Sequence, residues 1–290
     1  MEKNKILAKI ITQIEGNPEK LDDFLVSNKE NKISKIIGFT GSPGSGKSTL
    51  ISSITDFLRN QNKKVAILAI DPKSPLSRGA FFGDRIRMQK HYLDSNVFIR
   101  SISGNTKSGV NPAVPSISKV FEASGFDYIL IESVGTGQSE IDLSFFVDVL
   151  VLVLSPGDGD DVQFLKAGIL EVADIYAVNK SDTAGYDKFF NLLKSQPIFD
   201  KGKPLVRVSG ISSEGIPGLC KIIDELWRKF FEEGKLTKKR KKALLKQAEL
   251  FLIDKLEEII NSENIMNFNS LKEAKDFLIS QILESGRDNV

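Results

Sequence analysis

Gly41-Ser42-Pro43-Gly44-Ser45-Gly46-Lys47-Ser48, continued by Thr49, is the stretch that decides the reading of this 290-residue chain. It follows an apolar, β-branched run, Ile33–Phe39, and leads into a helical pattern over Thr49–Asn60. A strand, a glycine-rich turn and a helix in that order give the setting that G-x-x-x-x-G-K-[ST] needs to hold phosphate. Glycines let the backbone wrap an oligophosphate so that several N–H groups point inward beside a helix N-terminus. Lys47 then reaches the β and γ phosphates, and the Ser48 hydroxyl ligates Mg²⁺.

Further short apolar runs follow at Val65–Ile70, Val97–Ile99, Tyr128–Ile131, Val147–Leu154, Ile175–Val178 and Leu205–Val208, separated by longer helical stretches. Near-continuous runs of this kind suit strands covered on both faces, as in a parallel sheet between helices. The expected fold is therefore α/β, a mostly parallel central sheet with helices on both faces and helical extensions at each end. Residues 1–32 form the N-terminal extension, 33–234 the nucleotide-binding domain, and 235–290 a C-terminal helical segment. Gly41, Asp71, Glu132, Ser155, Asn179 and Ser209 each fall at or just past the end of a strand. In an open parallel sheet those ends share one edge, and ligands bind in the crevice outside it.

Magnesium takes oxygen ligands beside phosphates, so carboxylates on that edge matter next. Asp71 and Glu132 end two strands, and Asp84 follows Asp71 in a polar segment that also carries Arg78, Arg85 and Arg87. In Glu132-Ser133-Val134-Gly135 the glycine N–H is placed to sense a γ-phosphate. No glutamine directly follows Gly135. Gln138, three residues on, is the available group for orienting an attacking water, beside Lys47 as charge stabiliser.

Asn179-Lys180-Ser181-Asp182 reads N-K-x-D after an apolar strand. An aspartate accepts from both N1–H and the 2-amino group of guanine, whereas adenine offers neither donor. A buried site built on such bonds discriminates by roughly 10⁴ or more. Lys180 lays its stem across the base, Asn179 ties this loop to the phosphate loop, and Ser209-Gly210 supplies a backbone N–H toward guanine O6. GTP and GDP, with Mg²⁺, are the expected ligands.

Composition narrows the alternatives. Hydrophobic residues at 41% and charged residues at 27% are ordinary for a globular chain. A net charge of +2 gives no electrostatic case for nucleic acid or an anionic membrane. One cysteine, Cys220, and one histidine, His91, permit no internal disulfide and argue against a His/Cys metal cluster. With no signal peptide and no apolar run long enough to span a bilayer, a cytoplasmic protein is expected. His91 and Cys220 read as structural, and the basic run Lys238–Lys242 as a solvated helix start. Leu244, Leu245, Ala248 and Leu252 read as helix-packing positions.

With these residues in place, the chain resembles the methylmalonyl-CoA mutase-associated GTPases (the ArgK/MeaB group), relatives of the GTPases that assist nickel insertion. The resemblance runs from the first helix to about Phe231. It rests on Asp71-Pro72-x-Ser74-Pro75 through Gly83-Asp84-Arg85-Ile86-Arg87-Met88, and on Glu132 to Glu140. Pro156-Gly157-Asp158-Gly159-Asp160-Asp161-Val162-Gln163 and Ala173-Asp174-Ile175 before Asn179-Lys180 complete it. It implies a GTPase that binds an adenosylcobalamin-dependent acyl-CoA mutase, gates its cofactor loading and protects it from inactivation. It further implies that Ser48, Asp71, Asp84 and Glu132 form the magnesium shell, that Pro156–Gln163 is an additional switch loop, and that the C-terminal helices build a homodimer. Two departures touch partner-facing surfaces. Ser103-Gly104-Asn105-Thr106-Lys107-Ser108-Gly109 lacks the family's usual arginine, and Asp161 replaces a glutamate. A metal-insertion GTPase and a P-loop kinase are the competing readings. Scarce His and Cys oppose the first, and the guanine motif opposes the second.

Overall fold

The computed structural model describes residues 2–17, 20–27, 32–71, 89–104, 110–133, 139–157, 168–196, 202–261, 268 and 270–285. Two N-terminal helices, α1 (Glu2–Gly16) and α2 (Leu21–Ser27), precede β1 (Lys35–Thr40), α3 (Lys47–Asn60) and β2 (Val65–Asp71). A 3₁₀ turn at Gln89–His91 leads to β3 (Val97–Ser103), α4 (Val114–Ala123), β4 (Tyr128–Glu132) and α5 (Ser139–Phe146). Next come β5 (Val149–Leu154), the short α6 (Ile169–Val172), β6 (Ile175–Val178), α7 (Tyr186–Lys194) and β7 (Leu205–Arg207). The chain then runs through α8 (Ile216–Glu232), the long α9 (Lys235–Asn261) and α10 (Leu271–Ser285).

The seven strands form one sheet in the order β3-β2-β4-β1-β5-β6-β7, and every neighbouring pair is parallel. Each strand therefore returns through a crossover, and all seven C-terminal ends lie on one edge. Alternate residues show that both faces are covered. Ile37, Phe39, Leu130, Val149, Val151 and Val153 join Leu50, Ile51, Ile54 and Leu58 of α3 and Leu219 and Ile223 of α8 in one cluster. On the opposite face Ile36, Leu68, Ile129, Ile131, Leu150 and Leu152 are buried as well. The expected α/β fold is what the structure has.

Strand limits differ from the periodic reading in two instructive places. β3 continues to Ser103 because an edge strand tolerates half-exposed polar residues such as Arg100. Arg100 reaches α1, donating to Thr12 Oγ1 at 3.0 Å and Glu15 Oε2 at 3.4 Å. β5 begins at Val149, because Asp148 is a buried junction that accepts the Ile36 N–H and the Trp227 indole N–H.

The chain divides into two compact units, residues 1–243 and 244–290, so the opening turns of α9 belong with the first unit. There the basic run departs from expectation. Lys238, Lys241 and Lys242 are exposed, but Lys239 and Arg240 are half-buried. Arg240 bonds both oxygens of Asp148 (3.0 and 2.8 Å), Glu122 Oε1 (2.9 Å) and the Ser34 carbonyl (2.8 Å). Its charge is structural. In the second unit Phe268 packs on Phe277, with ring centroids 5.0 Å apart. Leu244, Leu245, Ala248 and Leu252, expected as packing positions, are exposed among the described residues.

Candidate functional site

The phosphate segment owes its shape to two close approaches. Gly41 has φ 145°, and a β-carbon there would stand 2.2 Å from the Val153 carbonyl oxygen. Gly46 caps α3 with φ 88°, and a β-carbon there would stand 2.4 Å from Asn179 Nδ2. Only glycine fits both the dihedral and the space. No side chain caps the first turn of α3 and no acidic residue lies in it, so its leading N–H groups carry the helix dipole without a competing anion. Lys47 is buried and folds back over its own loop, its Nζ donating to the carbonyls of Gly41 (2.7 Å) and Ser42 (3.0 Å).

Ser48 and Glu132 meet directly: the Ser48 hydroxyl donates to Glu132 Oε1 at 2.6 Å. Asp71, the last residue of β2, is buried at the same edge, and its carbonyl accepts the Gly104 N–H at 2.7 Å. Two buried carboxylates and a hydroxyl make an all-oxygen donor set, which suits a hard cation that keeps waters and phosphate oxygens as its other ligands. Of the other expected site residues, Asp84, Gly135 and Gln138 lie outside the described residues, as do Arg78, Arg85, Arg87, Lys107 and Asp158–Gln163.

Asn179 occupies the hub. Its Nδ2 donates to the Ser45 carbonyl at 2.9 Å and its Oδ1 accepts the Gly210 N–H at 3.0 Å, so one side chain joins the phosphate loop to both base-recognition loops. That second bond differs from the expected direction, since the Gly210 N–H is given to Asn179 rather than presented toward a base. Lys180 sits at φ 65°, a left-handed conformation unusual for a side-chain-bearing residue, and the Thr183 hydroxyl donates to its carbonyl at 2.8 Å. The Ser209 hydroxyl donates to Asp182 Oδ1 at 2.6 Å and accepts the N–H groups of Ile211 and Ser212. Asp182 is thereby aimed rather than left to rotate. Below this loop the Tyr186 hydroxyl donates to the Val178 carbonyl at 2.8 Å, pinning the end of β6. Burial pushes that phenol well above its ordinary value, so it stays a donor.

These groups line one cavity of about 470 Å³ that contains Pro43, Gly44, Gly46, Lys47, Ser48 and Thr49. Asp71, Glu132, Asn179, Lys180, Asp182, Ser209 and Gly210 complete its expected wall. Gly41, Ser42 and Ser45 belong to the same loop without lining the cavity. Ile70, Ser133, Thr183 and Ile211 also line it and carried no motif signal. Ile211 is 79% exposed, an apolar side chain at the rim that only the folded loop places there.

Residues 7–264 match the family model described as methylmalonyl Co-A mutase-associated GTPase MeaB. The chain belongs to this family. The MeaB-family assignment agrees with relatives of known sequence. A Pyrococcus horikoshii protein bearing a provisional GTPase name is 39% identical over 82% of this chain and 78% of its own length. The mitochondrial methylmalonic aciduria type A homolog of Mus musculus is 36% identical over 70% of this chain and 52% of its own. Among solved structures, the crystal structure of an LAO/AO transport system kinase superposes with a TM-score of 0.59 at 21% identity, covering 96% of this chain and 92% of that one. At that identity the likeness speaks to the fold. This MeaB-family protein is a guanine-nucleotide-binding GTPase. No helix among its described residues is long and apolar enough to cross a membrane.

Proposed function

We propose that this GTPase serves an adenosylcobalamin-dependent acyl-CoA mutase, such as methylmalonyl-CoA mutase, gating the loading of its cofactor and protecting it from inactivation. The observation that carries the reading is the match of residues 7–264 to a family described by its association with that mutase. Residues 33–234 run the nucleotide cycle. The phosphate loop from Gly41 to Thr49 holds the phosphates, Asn179, Lys180, Asp182 and Ser209 select guanine with Gly210 held on Asn179, and Ser48, Asp71, Glu132 and Asp84 hold Mg²⁺. The cation neutralises phosphate charge when bound. Lys47 leaves its own carbonyls to do the same, Gly135 senses the γ-phosphate, and Gln138 orients the water. Phosphoryl transfer needs positioning and electrostatics rather than a covalent intermediate, and these residues supply both.

Residues 235–290 build a homodimer in the cytoplasm, a role supported by the exposure of Leu244, Leu245, Phe251, Leu252 and Ile260. The test is binding and cofactor transfer with a purified mutase. The GTPase loaded with a non-hydrolysed GTP analogue should bind the mutase and hold back cobalamin transfer, and GTP hydrolysis should release it. Cofactor transfer that proceeds equally with GDP, GTP and the analogue would sink the proposal.

A further inference from the structure

The two base-recognition loops are tied together outside the cavity as well as inside it. The Ser181 hydroxyl donates to Glu214 Oε2 at 2.8 Å, and the Ser181 N–H donates to the Val208 carbonyl at 3.1 Å. Glu214 adds bonds from its backbone: its carbonyl accepts the Ser209 N–H at 3.0 Å, and its own N–H donates to Ser212 Oγ at 3.4 Å. The turn that carries Glu214 is fixed by Gly215, at φ 73°, where a β-carbon would stand 2.0 Å from the Arg207 carbonyl oxygen. With the Ser209 hydroxyl on Asp182 Oδ1, these bonds close a ring. It runs from Asp182 to Ser209, to Glu214, to Ser181, and back to Asp182 along the chain.

Among the described residues Asp182 and Ser209 line the cavity, whereas Ser181 and Glu214 do not. One side of the ring faces the ligand and the other braces it from outside. Asp182 is exposed, and a carboxylate on an exposed loop gives up rotational freedom when a base engages both of its oxygens. A ring already closed in the free protein removes part of that cost. Ser209 fixes one oxygen of Asp182, and Glu214 fixes where Ser209 stands relative to the 179–182 loop, because it bonds both. We propose that Glu214 is a positioning residue for guanine recognition, acting on Asp182 through Ser181 and Ser209 without touching the nucleotide. The inference rests on the guanine selection proposed above.

The 2-amino group of the base is the natural probe. Guanine presents both N1–H and this amine to an aspartate, whereas hypoxanthine keeps N1–H and lacks the amine. A carboxylate held in one orientation gains from the second donor, and one free to swing gains less. The ratio of GDP to IDP affinity therefore reports how firmly Asp182 is aimed. Glutamine at position 214 keeps a side-chain oxygen to accept the Ser181 hydroxyl, and alanine removes it.

The experiment measures GDP and IDP affinity with Mg²⁺ for full-length wild type, E214A, E214Q, S181A and the S181A/E214A double variant. E214A should weaken GDP about tenfold and IDP about threefold, so that the preference for GDP shrinks about threefold. E214Q should recover most of that preference. The double variant should bind no more weakly than E214A, since either change opens the same ring. Should E214A fail to fold, S181A opens the ring from its other side and is expected to lower the preference equally. An unchanged GDP-to-IDP ratio in E214A, no recovery in E214Q, or losses that add in the double variant overturns the inference and leaves the guanine reading standing. A wild-type protein that binds IDP as tightly as GDP removes both.

Discussion

At the C-terminal edge of the sheet, Lys47, Asp71 and Glu132 are buried around an open cavity, and the lysine donates to two carbonyls of its own loop. At the opposite edge Asp148 is just as buried, yet it is closed off completely. It accepts from the Ile36 N–H, the Trp227 indole and two guanidinium nitrogens of Arg240. Both edges concentrate charge where strands end, and among the described residues the cavity opens at the first. Burial of charge alone therefore does not mark a site. A buried charge that lines a cavity is available for exchange, whereas one enclosed by four hydrogen bonds from three separate elements is fixed.

That contrast can be broken first at the open edge. Lys47→Ala should lower single-turnover GTP hydrolysis by about 10³-fold, since a preorganised cation on the phosphates is lost, and should leave the melting temperature nearly unchanged. A fall under tenfold would deny Lys47 its role. At the closed edge the effects should invert. Arg240→Met leaves Asp148 buried without its guanidinium partner, at a cost of about 3–5 kcal/mol in urea unfolding, while GDP affinity is preserved. Wild-type stability in this variant would mean that the lower edge is not held by its charges.

Smaller changes sharpen the picture. Asp182→Ala removes the acceptor that Ser209 holds in place. Competition binding should show a preference for GTP over ATP reduced by about 10²-fold. Asp94, at the lower edge but part-exposed, provides the weakest case. Burial raises its carboxyl, but the Arg59 and Asn96 N–H bonds outweigh this and hold it below the ordinary 3.8. A folded value below the unfolded one stabilises above about pH 3.8, and this is lost as pH falls through the folded value. Asp94→Asn should cost about 1 kcal/mol at pH 7, and the difference should shrink as pH falls below 3.8. A gap that persists there would assign the effect to packing.

Much of the upper edge was legible because its chemistry is written in contiguous strings. Gly41–Ser48 and Asn179–Asp182 each combine a backbone requirement with a side-chain requirement within a few residues, and β-branched runs mark the strands that deliver them. The hub role of Asn179 was readable for the same reason, although the direction of the Gly210 N–H was not. The Arg240 cluster was illegible. Ser34, Glu122, Asp148, Trp227 and Arg240 lie up to 206 positions apart, and no local pattern distinguishes Arg240 from the exposed lysines beside it. Ile211 was missed for a related reason, since an apolar residue in a turn has no periodicity to reveal where it points.

The sequence by itself determined the α/β class, the phosphate loop, the guanine motif and the edge on which they meet, because each follows from local dihedral demands and from alternation along single segments. The tertiary structure alone decided which charges are bound in closed clusters, how Glu214 joins the two base-recognition loops, and which apolar residues remain uncovered. Those outcomes depend on contacts between residues far apart in the chain, and desolvation and hydrogen bonding there are set by neighbours that no single segment contains.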